Sequence, residues 1–233
     1  MPQVFIFCVW HADMIEQYVK SSKWATRLAV RCISSPNCQS AGDALRELDA
    51  LNVIRSDPFV LISGDVISNI NLKDAIAFHK LKRKADSNNV MTVVLKKVQP
   101  LAGAKPLLDD LTVAMNRESS QIVLFENSFK RRSVSVCMDL LSEHRPAGLR
   151  FHTDLLDCHV DICSPELMLQ FSDNFDYQVL CCACLPVLVA VCSPPVLADG
   201  MNYSIHRYIR TYGAISFKMR SATILWASTY SGI

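Results

Sequence analysis

Short, continuously apolar runs alternate with helix-period segments from Val4 to Val98, and this alternation limits what the chain can fold into. Val4-Phe-Ile-Phe-Cys-Val9 is apolar throughout, as a strand covered on both sheet faces must be. His11 to Ser21 follows, with Met14, Ile15, Tyr18 and Val19 on one helical face. Leu28 to Ile33 reads as a second strand, and Ser40 to Leu51 as a helix with Ala44, Leu45, Leu48 and Leu51 on its apolar side. Phe59 to Ile62 is a third strand, ending at Gly64-Asp65. A helix then runs from Asn71, a good N-cap with Asp74 in its first turn, to about Lys84, and Val90 to Val98 is a fourth strand. Such alternation implies βαβ crossovers and a mostly parallel sheet.

The rhythm then changes. Leu111–Met115 and Gln121–Phe125 bracket the polar Asn116-Arg-Glu-Ser-Ser120, which predicts an antiparallel hairpin. Leu149–Thr153 and Asp157–Ile162 are further strands. Ser164-Pro165-Glu166 then opens a helix, with serine as N-cap and proline in its first position. The fold class is therefore α/β, mostly parallel with an antiparallel portion. Val179 to Cys192 is almost wholly apolar, but it is too short for the roughly 20 residues of a spanning helix and is interrupted by Pro186.

Composition narrows the function. The chain has 233 residues, half of them hydrophobic, so it buries a sizeable core. A net charge of +2 argues against a broad nucleic-acid surface, and Lys80–Lys84 and Lys130–Arg132 read as solvated basic faces. No basic, small-residue leader precedes the apolar start, so the ten cysteines read as reduced thiols of a cytosolic protein.

The chemistry-bearing residues do not assemble into a familiar catalyst. His152, Cys158, His159 and Cys163 crowd together, but strand alternation places Cys158 with Val160 and Ile162, and His159 with Asp161 and Cys163. Cys181, Cys182 and Cys184 lack a second ligand pair at zinc-finger spacing. There is no Gly-x-Ser-x-Gly elbow, no Gly-x-Gly and no Walker sequence. Gly42-Asp43 and Gly64-Asp65 are the candidate phosphate turns. Two readings of such a pair stand: a metal or nucleotide carboxylate, or a tight turn whose Asp caps backbone amides.

Several stretches carry a resemblance: Val4–Trp10, Val53–Asp57, Ser63–Asn71, His79–Lys84, Val90–Thr92, Asp154–His159, Ile162–Pro165 and Asp173–Gln178. Over about Pro2 to Gln178 the chain resembles the nucleotidyltransferase-like (pyrophosphorylase-like) domain of epsilon subunits of the guanine-nucleotide exchange factor for translation initiation factor 2. The resemblance implies a Rossmann-like nucleotidyltransferase fold. In sugar nucleotidyltransferases the corresponding Gly-Asp holds a divalent metal, with further carboxylates and a glycine-rich loop. The epsilon subunits keep the fold without being known as transferases, and their exchange activity resides in a C-terminal helical domain. The resemblance thus makes Gly64 and Asp65 a remnant, with no cofactor implied. It also implies that Asn174-Phe175-Asp176 contacts the G protein. From the residues alone, Phe175 either anchors a contact or plugs the core while its neighbours cap a turn.

The departures matter too. Set against the family, the 233 residues are expected to lack its first strand and glycine loop, and its β-helix and exchange domains. Residues 1–178 form the matching domain, 179–200 an anomalous Cys/Pro-rich segment, and 201–233 a weakly matching remainder. Similarity resumes at Ile205-His206, Tyr212–Ser216 and Met219–Ala222. This replacement implies, as a hypothesis, a translated intron or a gene-model error; a cleanly spliced message encoding Val179–Ala198 refutes it. In doubly wound sheets the first strand lies centrally. Val4–Val9 and Phe59–Ile62 are therefore expected to flank a vacant strand position about 9–10 Å wide, which would leave the isolated chain prone to aggregate.

The expectation is a non-catalytic module of the exchange complex. Its partners would be a gamma-type subunit and the G protein translation initiation factor 2, in the cytosol, with no direct nucleic acid and no membrane. The rival is a sugar-phosphate nucleotidyltransferase using Mg²⁺ at Asp65. A third reading is a chain without function of its own.

Overall fold

In a computed structural model, residues 3–97, 111–127, 133–144, 147–177, 189–192, 205–207 and 222–227 are described. The elements begin with β1 (Gln3–Cys8), α1 (Ala12–Ser21), α2 (Trp24–Arg27), β2 (Ala29–Ser34), α3 (Ala41–Ala50), β3 (Phe59–Ser63) and β4 (Val66–Ser68). They continue with α4 (Leu72–Ala85), β5 (Met91–Lys97), β6 (Leu111–Asn116), β7 (Gln121–Asn127), α5 (Met138–Glu143) and β8 (Leu149–His152). Last come β9 (Leu155–Cys163), α6 (Glu166–Asp173), β10 (Val189–Cys192), β11 (Ile205–Arg207) and β12 (Ala222–Ala227). The chain divides into two compact units, each discontinuous in sequence: 1–71 with 159–180 and 202–233, and 72–158 with 181–201. Much of the 179–200 segment and of 201–233, the Lys130–Arg132 run and the Cys181, Cys182 and Cys184 cluster lie outside the described residues.

The first unit orders its strands β2-β1-β12-β3-β9. β1 pairs with β2 in parallel, whereas β12 is antiparallel to both β1 and β3, and β3 is antiparallel to β9. Phe59, Val60 and Leu61 are all buried, as the uninterrupted apolar run requires of a strand covered on both faces. β1 and β3 indeed flank one strand position. It is not vacant: β12 fills it, with Ile224 opposite both Ile6 and Ile62. The expectation failed because a strand drawn from the far end of the chain satisfies the facing N–H and C=O groups equally well when it runs antiparallel.

α3 forms for reasons visible in its sequence. Ser40 and Asp43 make a reciprocal capping box, and Gly42, Ala44, Leu45 and Leu48 are buried at helical spacing. Fully burying a leucine such as Leu48 contributes about 1.5–3 kcal/mol. α1 departs from expectation. Ile15 and Val19 are half-buried while Met14 and Tyr18 stand exposed, so the apolar face is split rather than packed. α6 also starts one residue late. Pro165 takes the cap position, where its ring offers no group to cap the helix amides, and the Ser164 hydroxyl donates to Asp57 Oδ1 at 3.2 Å.

In the second unit the order is β5-β10-β7-β6-β8, with β10 parallel to β5 and the other pairings antiparallel. The predicted β6–β7 hairpin is present. Its turn is built by Asn116, whose Oδ1 accepts from the Glu118 and Ser119 amides. The Lys80–Lys84 run closes α4, where positive charge suits the helix's negative end. There Lys82 Nζ donates to the Ser119 carbonyl at 2.7 Å, and Arg83 Nη1 to the Ser87 carbonyl at 3.2 Å. Buried His79 meets Thr92 Oγ1 at 2.9 Å. Part of the anomalous segment, β10, is thus a paired strand.

Candidate functional site

The site lies where the C-terminus of α6 meets the N-terminal half of α3, within the first unit. α6 buries Leu167, Met168 and Phe171 and stops at Asn174, whose backbone turns extended. The Asn174 Oδ1 then accepts from the Asp176 amide at 3.1 Å, while the Tyr177 amide reaches the Asn174 carbonyl at 3.3 Å. This local turn leaves Phe175 72% exposed. Phe171 is the ring that fills the core, edge-on to Tyr177 at 5.9 Å. Phe175 therefore does not plug the interior.

Beneath the turn sits Arg46. Its Nη1 donates to the carbonyls of Phe171 at 3.0 Å and Tyr177 at 3.2 Å, with that of Asn174 at 3.5 Å. The guanidinium carbon lies 5.3 Å from the centre of the Phe175 ring, a cation–π distance. Nη2 donates to Asp43 Oδ1 at 2.7 Å, and Asp43 Oδ2 accepts from the Gln39 and Ser40 amides. Burial pushes the Asp43 carboxyl up, but Arg46, the Ser40 hydroxyl and the two amides together outweigh it and hold the carboxyl below its ordinary range. A further bond, Ser172 Oγ to Asp49 Oδ2 at 2.6 Å, ties the helices together.

Gly42-Asp43 is thus no phosphate turn: the glycine lies in α3 and the carboxylate caps backbone amides. Gly64 and Asp65 form the turn between β3 and β4, with Gly64 exposed and Asp65 half-buried. Among the described residues no three His, Cys, Asp or Glu side chains gather as a metal site. The strict alternation expected from Cys158 onward is interrupted at His159, whose φ of 51° marks a local irregularity in β9. His152 instead lies 3.4 Å from Asp154, which also meets Lys97 at 3.4 Å. Of the cysteines whose side chains are described, Cys8, Cys38, Cys158 and Cys163 are buried.

Sequence reasoning named Asn174, Phe175 and Asp176 but missed Arg46. The available signal was the i,i+3 spacing from Asp43, which puts acid and base on one helix face.

The fold defines the class: mixed α/β, with strands paired both parallel and antiparallel. HddC from Yersinia pseudotuberculosis, crystallised with GMP-PN, superposes with a TM-score of 0.52 at 12% identity, covering 85% of this chain and 69% of that one. A second HddC crystal structure gives 0.50 at 11% identity, covering 79% and 65%. No family model matches. The sequence supplies the finer placement. Translation initiation factor eIF2B subunit epsilon of Dictyostelium discoideum is 42% identical over 177 residues, covering 75% of this chain and 25% of the relative. Its counterpart from Schizosaccharomyces pombe is 36% identical over 180 residues, covering 76% and 26%. The chain is a homologue of the eIF2B epsilon subunits, and it spans about a quarter of their length.

Proposed function

We propose that the chain is a non-catalytic, partner-binding module of a translation-initiation exchange factor. Its segment Asn174–Asp176 contacts the G protein translation initiation factor 2, and its fold joins the other exchange-complex subunits, a gamma-type subunit in particular. GDP release is assigned to other portions of that complex, and the setting is the cytosol. Among the described residues no helix is long and apolar enough to cross a membrane.

The observation that carries this reading is the exposed Phe175 ring held over an ordered guanidinium. A large apolar ring exposed to water and set against a hydrogen-bonded guanidinium suits a contact anchor, since contact with the cation limits the freedom it loses on docking. The rival, Mg²⁺-dependent nucleotidyl transfer at Asp65, needs a set of carboxylates to fix the ion beside the phosphates.

Tagged full chain purified from cells tests the choice. The proposal expects other exchange-complex subunits and translation initiation factor 2 in the eluate. It also expects no pyrophosphate when the chain meets a nucleoside triphosphate, a sugar phosphate and Mg²⁺. Pyrophosphate release that Asp65→Asn abolishes would overturn it.

A further inference from the structure

We propose that Arg46 is the positioning residue that presents Phe175 to its protein partner; this rests on the reading of Asn174–Asp176 as a contact segment. The last carbonyls of a helix have no partner within it and must be satisfied from outside. Here Arg46 Nη1 reaches carbonyls on both sides of Phe175, those of Phe171 and Asn174 before it and of Tyr177 after it. One planar group therefore fixes the chain upstream and downstream of the exposed ring. The same group lies against that ring at 5.3 Å.

The guanidinium is itself anchored. Its side chain is only 12% exposed, and Nη2 is bound to Asp43, whose other oxygen is held by two amides at the start of α3. Gly42 adds the clearance that lets the Tyr177 carbonyl approach α3. Lysine cannot substitute for this arrangement. An ammonium is a compact point charge without the planar fork that can span spaced carbonyls and stack on a ring. The role differs from simple helix packing, which the Ser172–Asp49 bond also serves.

The test uses the full chain, purified translation initiation factor 2 and the variants Arg46→Lys, Phe175→Ala and Ser172→Ala. Each is followed by amide hydrogen exchange, thermal unfolding and affinity. We expect Arg46→Lys to speed exchange at the Asp176 and Tyr177 amides by about tenfold or more and to weaken binding by roughly 5–10-fold. Ser172→Ala lowers the unfolding temperature but leaves both readouts unchanged. If Arg46→Lys changes neither exchange nor affinity while Phe175→Ala loses binding, the positioning role is overturned and the contact segment stands. If Phe175→Ala binds as tightly as the parent, the contact reading fails and takes the positioning role with it. Equal weakening by Ser172→Ala also overturns the proposal, because general loosening of α6 would then suffice.

Discussion

A Cβ added to Gly42 would collide with the main-chain carbonyl oxygen of Tyr177 and come within 3.2 Å of Arg46 Nη2. Neither obstacle is a free side-chain end: one is backbone and the other is bonded to Asp43. Two effects compete in Gly42→Ala. Alanine favours a helix over glycine by about 1 kcal/mol, whereas overpacking a close contact costs about 1–3 kcal/mol. Backbone contact should win. Urea denaturation should show a lower midpoint for Gly42→Ala; a raised midpoint would mean that the turn does not lie against α3.

The Asp43 carboxylate gives the same junction a pH dependence. Its folded pKa lies below the ordinary value of 3.8, so the unfolded chain binds a proton more readily. The contribution to stability is therefore present above 3.8 and is lost as pH falls through the lower folded value. Asp43→Asn should be less stable than the parent at pH 6, and the gap should close in acid. Denaturant midpoints at pH 6, 4 and 3 measure this, and a gap that widens on acidification would reverse the sign assigned here.

Thiol reactivity reports on burial elsewhere in the chain. Burial, with a smaller influence from Cys32, pushes the Cys8 thiol up to about 11. Burial does the same to Cys38, against the Ser35 hydroxyl and with the Glu47 carboxylate adding to the rise, again to about 11. Thiolate is the reactive form, so both should resist alkylation at pH 7.5. Cys137 is exposed. Iodoacetamide followed by peptide mass spectrometry should label Cys137 in the native chain and Cys8 and Cys38 only after denaturation.

β12 makes the strand position between β1 and β3 a point of vulnerability. Ile224→Pro removes one amide donor and constrains the backbone in the middle of that strand. Without β12, backbone groups of Gln3–Cys8 and Val60–Ser63 lose partners, at about 1–3 kcal/mol for each group left buried and unsatisfied. The variant should lose its cooperative unfolding transition and aggregate. Unchanged unfolding would show that β12 is dispensable to the sheet.

Local signals in the sequence were enough for most elements and failed where distant segments decide the outcome. The apolar run of β3, the apolar face of α3 and the Asn116 turn are written in neighbouring residues, and each appears where spacing placed it. The β12 insertion was not legible because pairing between segments more than 150 residues apart leaves no local period. α1 has a helical period, but period alone does not say which residues find a covering surface; Met14 and Tyr18 do not. At the site, Asn174-Phe175-Asp176 was visible as a motif, whereas Arg46 was not singled out. Its importance comes from carbonyls 125 to 131 residues away.

The central claim is that Phe175 is kept in solvent for a partner and not for the fold. The most direct test is the affinity of purified translation initiation factor 2 for the full chain and for Phe175→Ala, measured beside thermal unfolding of both. The account predicts at least tenfold weaker binding, about 1.4 kcal/mol, with an unfolding temperature within a few degrees of the parent. Unchanged affinity, or a loss of binding matched by collapse of the fold, would contradict it.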